Sequence, residues 1–223
     1  MSNKQWYHCI ELPDGTTTDG WSALSGVWDM IRSLRSNLYY KNKRVLDLGS
    51  RDGMWSFEAQ KLGASTVVAT DIGDDHWRSN FSKVNEMFGG KVAGYYNIPV
   101  EHLYERLDCF WDWNAGLFDI IQHLGLFYHL KDPLRSLEQC RKCIKDGGYL
   151  LLETAIFKHN NELPMAMFNS RSEIYIDKTT FWAFNRTALL GALEMHGFKP
   201  LNHEAFYDQN ENIGRMALIA QAV

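Results

Sequence analysis

The sequence predicts a Rossmann-like α/β fold, a mostly parallel sheet with helices on both faces. Three observations point to it. Short apolar runs of β-forming residues alternate with helix-period segments from residue 45 to residue 155, which is the rhythm of βαβ units. The run 45–48 closes on Gly49 and Gly53, a glycine turn between a strand and a helix. The next strand, 66–70, ends on an acid, Asp71. Strand, glycine turn, helix, strand and acid in that order form the nucleotide-binding half of a doubly wound sheet.

The chain of 223 residues suits one domain over 1–223 with a large core. Lys and Arg total 23 against 27 Asp and Glu, a formal charge of −4, which leans against a dedicated nucleic-acid binder. No signal-peptide pattern or membrane-length apolar run is present, and a cytoplasmic location is expected. The four cysteines suit a reducing compartment. Cys140 and Cys143 have redox or metal spacing, but they fall within a helix and lack a second pair, so a structural role is expected and no metal site.

Residues 5–20 are aromatic and turn-rich, with no periodicity beyond a short strand. Residues 21–40 place Leu24, Val27, Trp28, Ile31, Leu34 and Leu38 on one helical face. The basic group Arg32, Arg35, Lys41, Lys43 and Arg44 reads as a solvated face. Helices follow at 54–62, stopped by Gly63, and at 74–88, opened by two acids and closed by Gly89 and Gly90. The third strand is 92–98, and a helix begins near residue 99 and runs to about 110. The fourth strand, 117–124, leads into Gly125-Leu-Phe-Tyr-His129 at its carboxyl end, where open α/β sheets hold ligands. Asp132-Pro133 caps a helix, and 149–155 is the fifth strand. Residues 157–177 read as an irregular loop over the substrate side. A helix at 186–196 and two strands, 199–207 and 215–222, complete the chain.

Asp47 inside the first strand suits a cationic ligand group, such as an α-ammonium, better than a pyrophosphate. Val45-Leu-Asp-Leu-Gly-Ser-Arg-Asp-Gly53 and Val67-Val-Ala-Thr-Asp71 together resemble the first motifs of class I S-adenosylmethionine (SAM)-dependent methyltransferases. Arg51 departs from that pattern at its second glycine. The resemblance implies a seven-stranded, mostly parallel sheet with an antiparallel last strand. It implies SAM as cofactor, held by Asp47, by the turn residues Gly49, Ser50, Arg51 and Gly53, by Asp71 and Ile72 at the ribose, and by Val100 and Glu101 at the adenine.

Phe118-Asp-Ile-Ile-Gln-His-Leu-Gly-Leu-Phe-Tyr-His129, Leu151-Leu-Glu-Thr154, Pro99-Val-Glu-His-Leu103 and Arg215-Met-Ala-Leu-Ile-Ala220 are similar to the branch around the bacterial tRNA wobble-uridine carboxymethyltransferase. That similarity implies cofactor contact by Leu124. It also matches Tyr128 and Arg215 to positions that meet a donor carboxylate in the tRNA enzyme. The tRNA enzyme's N-terminal extension and upstream lysine have no counterpart here, which favours ordinary SAM and a different acceptor. Residues 1–40 are then expected to cap the active site, and 156–184 to form a substrate-side insertion.

Methyl transfer requires alignment, and a hydroxyl acceptor must lose a proton. His129 is the preferred base, with His123 as the second candidate and Tyr128 beside them. Arg215, Trp182 and Tyr128 are candidate substrate contacts, Arg215 for an anionic group. The expectation is O-methylation of a small molecule. tRNA as acceptor is the runner-up, and a SAM-binding accessory protein without turnover is a third reading. No G-x-S-x-G, H-E-x-x-H or P-loop motif offers a competing chemistry.

Overall fold

The computed structural model describes residues 5–73, 75–110, 116–159, 162–172 and 175–223, the side chains of 108–110 excepted. Asp74, expected at the head of the third helix, and the Cys109 side chain lie outside the described residues. The strands β1 (Arg44–Leu48), β2 (Thr66–Asp71), β3 (Val92–Tyr96), β4 (Phe118–Leu124) and β5 (Ile144–Phe157) form a parallel sheet in the order β3-β2-β1-β4-β5. The strand order reverses between β1 and β4, the switch point at which such sheets open a ligand crevice. On the far edge of β5 runs β9 (Ile213–Ala222), antiparallel, followed by β8 (Phe198–Asp208).

Two further strands answer to no element expected from the sequence. β6 (Ala166–Phe168) and β7 (Trp182–Phe184) form a hairpin inside and just after the stretch read as irregular. β5 outlasts β4: Leu124 pairs with Glu153, and beyond that point Ile156 pairs with Phe184 of β7. The hairpin therefore continues the sheet above the carboxyl end of β4. A three-residue strand falls below the length at which alternation can be read.

Both faces of the sheet are buried, as the near-continuous apolar strands require. One face carries α1 (Ser25–Arg35), α2 (Met54–Lys61) and α3 (Asp75–Met87), with Val45, Val67, Ile120 and Leu151 pointing toward them. The other carries α4 (Leu103–Phe110), α5 (Pro133–Cys143) and α6 (Arg186–Met195), against Leu46, Val68, Ile121 and Leu152. Helix starts follow local chemistry. Asp132 caps α5 through the Arg135 N–H with Pro133 at the first position, and Asn185 caps α6 through the Ala188 N–H.

The basic group is less solvated than its composition suggested. Arg35 is buried, and both it and Arg32 pair with Glu58 of α2. Cys140 and Cys143 are fully buried free thiols, and burial pushes the Cys143 thiol up to about 12. Among the described residues, no helix is long and apolar enough to cross a membrane.

Candidate active site

β1 delivers Asp47, 1% exposed, to the face that carries α1 to α3. The Ser56 hydroxyl of α2 donates to its Oδ2 at 2.5 Å. Burial pushes the Asp47 carboxyl up to about 6, against weaker opposing pulls from Ser56, His8, Gln122 and Arg35. A buried carboxylate in this state is relieved by a cationic ligand group. The turn after β1 passes through left-handed backbone at Gly49, Arg51 and Gly53, with φ of 65°, 51° and 90°. At Gly53 a Cβ would lie 2.6 Å from the Phe57 ring and 2.7 Å from that of Phe81, so only glycine fits. Gly49 faces Leu126, whose side chain would meet a Cβ at 3.2 Å. Ser50, also buried, donates its N–H to the Thr70 carbonyl at 3.1 Å and ties the turn to β2.

Asp71, at the end of β2, accepts the Arg51 N–H on Oδ2 at 2.8 Å and the Gly73 N–H on Oδ1 at 2.5 Å. Each oxygen keeps acceptor capacity for a diol hydroxyl. Ile72 beside it is exposed, and Val100 is buried in a 3-10 turn after β3. Glu101 follows, its carbonyl accepting from Arg135 Nε at 3.3 Å. Leu124 shares the Asp47 face of the sheet. A tight turn through left-handed glycines, a buried acid that a cation would relieve and an acid with acceptor capacity for a diol fit SAM.

The arm at 5–20 is fastened to this turn. Asp52, fully buried, accepts the N–H groups of Tyr7 and His8 at 2.8 and 3.0 Å and also the His8 imidazole. Burial alone would raise the Asp52 carboxyl, but His8 and the two backbone donors hold it below the usual range. His8 in turn anchors the fold-back of the arm, because Thr18 Oγ donates to its carbonyl at 2.6 Å. A Cβ on Gly20 would sit 2.2 Å from the His8 carbonyl carbon. Neither Asp52 nor His8 was among the expected site residues. The sequence signal was an acid inside the glycine turn.

On the acceptor side, Glu153 of β5 takes Arg215 of β9 through Nε at 2.7 Å and Nη2 at 2.9 Å, both residues buried. The guanidinium carbon lies 4.3 Å from the Tyr128 ring centroid. Burial would lower the Arg215 value, but Glu153 and then Tyr128 hold it above the ordinary one. Burial also keeps Tyr128 a phenol. Arg215, expected to meet an anionic acceptor, is thus already paired inside the protein. The Tyr128 and His129 rings lie 4.0 Å apart.

His129 Nδ1 lies 2.8 Å from the Thr179 carbonyl and 3.1 Å from Thr179 Oγ. The Thr179 hydroxyl donates to Asp177 at 2.7 Å, so Oγ presents a lone pair to the imidazole. Every group facing Nδ1 is then an acceptor, which places the ring proton on Nδ1 and a lone pair on Nε2. Among the described residues nothing hydrogen-bonds Nε2. Burial lowers His129 from the ordinary 6.5, opposed by the Thr179 carbonyl and Asp177, so the ring is neutral at pH 7.

Two expected residues are not brought to this place. His123 is fully buried and bonds Ser136 of α5 through Nε2 at 3.0 Å; burial lowers it to about 3. Side chains alternate along a strand, so Gln122 and Leu124 face the Asp47 side and His123 faces α5. Trp182 is displaced by the same rule. Ala183 packs against Tyr128, whereas Trp182 joins the opposite core and donates to the Lys131 carbonyl at 3.2 Å.

Known proteins share this fold. A family model described as a methyltransferase domain matches residues 29–203. Over 172 residues the chain is 30% identical to the tRNA U34 carboxymethyltransferase of Helicobacter acinonychis (strain Sheeba), a match covering 77% of this chain and 60% of that protein. The chain therefore spans about 60% of the length of that curated relative. The N-terminal domain of EvdMO1 with SAH bound superposes with a TM-score of 0.68 at 17% identity, covering 98% of this chain and 92% of that one. A putative methyltransferase from Bacillus halodurans superposes at 0.65 with 16% identity, covering 86% and 97%. Fold, glycine turn and paired acids are those of the class I SAM-dependent methyltransferase fold. The chain belongs to the methyltransferase-domain family.

Proposed function

We propose that this methyltransferase acts on a hydroxyl oxygen of a small-molecule acceptor, with His129 as the general base. The observation that carries the reading is the pair of Thr179 oxygens, 2.8 and 3.1 Å from His129 Nδ1, which calls for the proton there and leaves Nε2 as a proton acceptor beside Tyr128. SAM, when bound, supplies an electrophilic methyl on a sulfonium. His129 takes the acceptor's proton as a neutral imidazole, the Thr179–Asp177 pair fixes its tautomer, and Tyr128 fixes its ring. Glu153 fills the Nε–Nη2 edge of Arg215, which leaves that edge closed to a donor carboxylate and favours ordinary SAM. In this reading the described parts of the arm and helix at 1–40 and of the insertion at 156–184 would wall the acceptor.

The test is SAH release by purified protein against a panel of hydroxylated small molecules, with the methylated product identified by mass spectrometry. His129→Gln is expected to lower kcat about 10²–10⁴-fold while SAH affinity stays unchanged. In the wild type, kcat/KM is expected to fall on the acid side with an apparent pKa below 6.5, because His129 is lowered from that value and only its neutral form accepts a proton. An acid limb retained in His129→Gln would contradict the assignment.

A second reading, modification of tRNA wobble uridine, is favoured by the 30% identity to the Helicobacter acinonychis protein of that name. Loss of a wobble modification in tRNA from a deletion strain, read by mass spectrometry, would replace the small-molecule acceptor. SAH binding without turnover on any acceptor would instead favour an accessory role.

A further inference from the structure

Arg51 occupies left-handed backbone, φ 51°, in a turn whose pattern otherwise supplies glycine. L-residues adopt that conformation at a cost, so the position of the side chain is informative. The guanidinium carbon lies 4.9 Å from the Tyr7 ring centroid and 5.4 Å from that of Trp77. The two rings meet edge to face at 6.1 Å. Tyr7 comes from the arm, which Asp52 fastens to the same turn, and Trp77 comes from α3. The guanidinium is thus held in an aromatic slot, half-buried. Among the described residues no carboxylate pairs with it and no side-chain or backbone acceptor takes its protons. Its charge is felt at His129 and Asp177, which puts it on the acceptor side. Asp177 is occupied by the Thr179 hydroxyl and N–H.

We propose that the Arg51 side chain is the acceptor's anchor: it binds a carboxylate on the small molecule whose hydroxyl faces His129. The inference rests on the O-methylation reading above and names its substrate class. Stacking occupies the faces of a guanidinium and leaves its N–H edges for a planar oxyanion. A single cation matches a monoanion, because Arg215, the buried guanidinium over Tyr128, is neutralised by Glu153. The backbone of Arg51 still serves Asp71 and the donor side.

Calorimetry on the SAH-bound protein tests it, with benzoate as probe and benzamide as its neutral counterpart. Wild type is expected to bind benzoate at least tenfold more tightly than benzamide. Arg51→Gly suits the local φ and should fold; it is expected to lose at least tenfold in benzoate affinity, with any loss of SAH affinity smaller than that. Arg51→Lys should recover part of the loss. Equal benzoate binding by wild type and Arg51→Gly, or none by wild type, overturns the assignment. So does a fall in SAH affinity as large as that for benzoate, which would put the guanidinium on the donor. A uridine oligonucleotide bound through Arg51 in place of benzoate would overturn the small-molecule class. Failure of the methyltransferase reading is distinct, since it would appear as wild type binding no SAH.

Discussion

Asp47 is ionised in a place that opposes ionisation. Its folded value, about 6, exceeds the ordinary 3.8, so the folded state binds the proton more tightly than the unfolded chain. The associated stability is complete below about pH 3.8 and lost as pH rises through 6. At pH 7 the ionised carboxylate costs the ligand-free protein on the order of 3 kcal/mol. Asp47→Asn is therefore expected to raise Tm at pH 7, with a gain that shrinks toward pH 4, and to weaken SAM binding. A Tm that does not move at pH 7 would contradict this account of Asp47. Glu153 presents the opposite case, because its removal strands a buried guanidinium. Glu153→Gln should destabilise by about 3–5 kcal/mol in denaturant titrations, and a companion Arg215→Met should recover much of that. Asp47 and Asp71 were legible because acids interrupt or end apolar strands. The Glu153–Arg215 pair was not, since it joins β5 to β9 across 62 positions of sequence.

At the scale of elements, the arm depends on one side chain. Asp52→Ala would leave the buried His8 N–H, the half-buried Tyr7 N–H and the His8 ring without their acceptor. We expect a loss on the order of 3 kcal/mol, together with faster proteolysis within residues 5–20 and weaker SAH binding. An unchanged cleavage rate would show that the arm is held elsewhere. Strands and helices from β1 to β5 were legible from their period, because each is long enough to repeat it. The placements of His123 and Trp182 follow from alternation, counting in twos from Gln122 and from Ala183. The β6–β7 hairpin was not legible. Its first strand consists of three residues, all exposed, and its pairing depends on the overhang of β5.

The molecule as a whole divides its work between the two faces of one sheet. The face under α1 to α3 carries Asp47, Leu124, Glu153 and Arg215, while among the described residues the face under α4 to α6 holds Val100 and is largely apolar, with bonded groups such as His123. Sequence reading reached the donor half because the physics of that half is local, a turn and two strand ends. On the acceptor side it named His129 from its place after β4, but not Tyr7, Asp177 or an anchoring role for Arg51, which come from separate segments. The account depends first on the donor half, and calorimetric titration with SAH tests it most directly. Wild type is expected to bind, and Asp71→Ala, which removes the acceptor proposed for the ribose hydroxyls, to bind at least tenfold more weakly. No heat of binding from folded wild type, or equal affinity in Asp71→Ala, would contradict it.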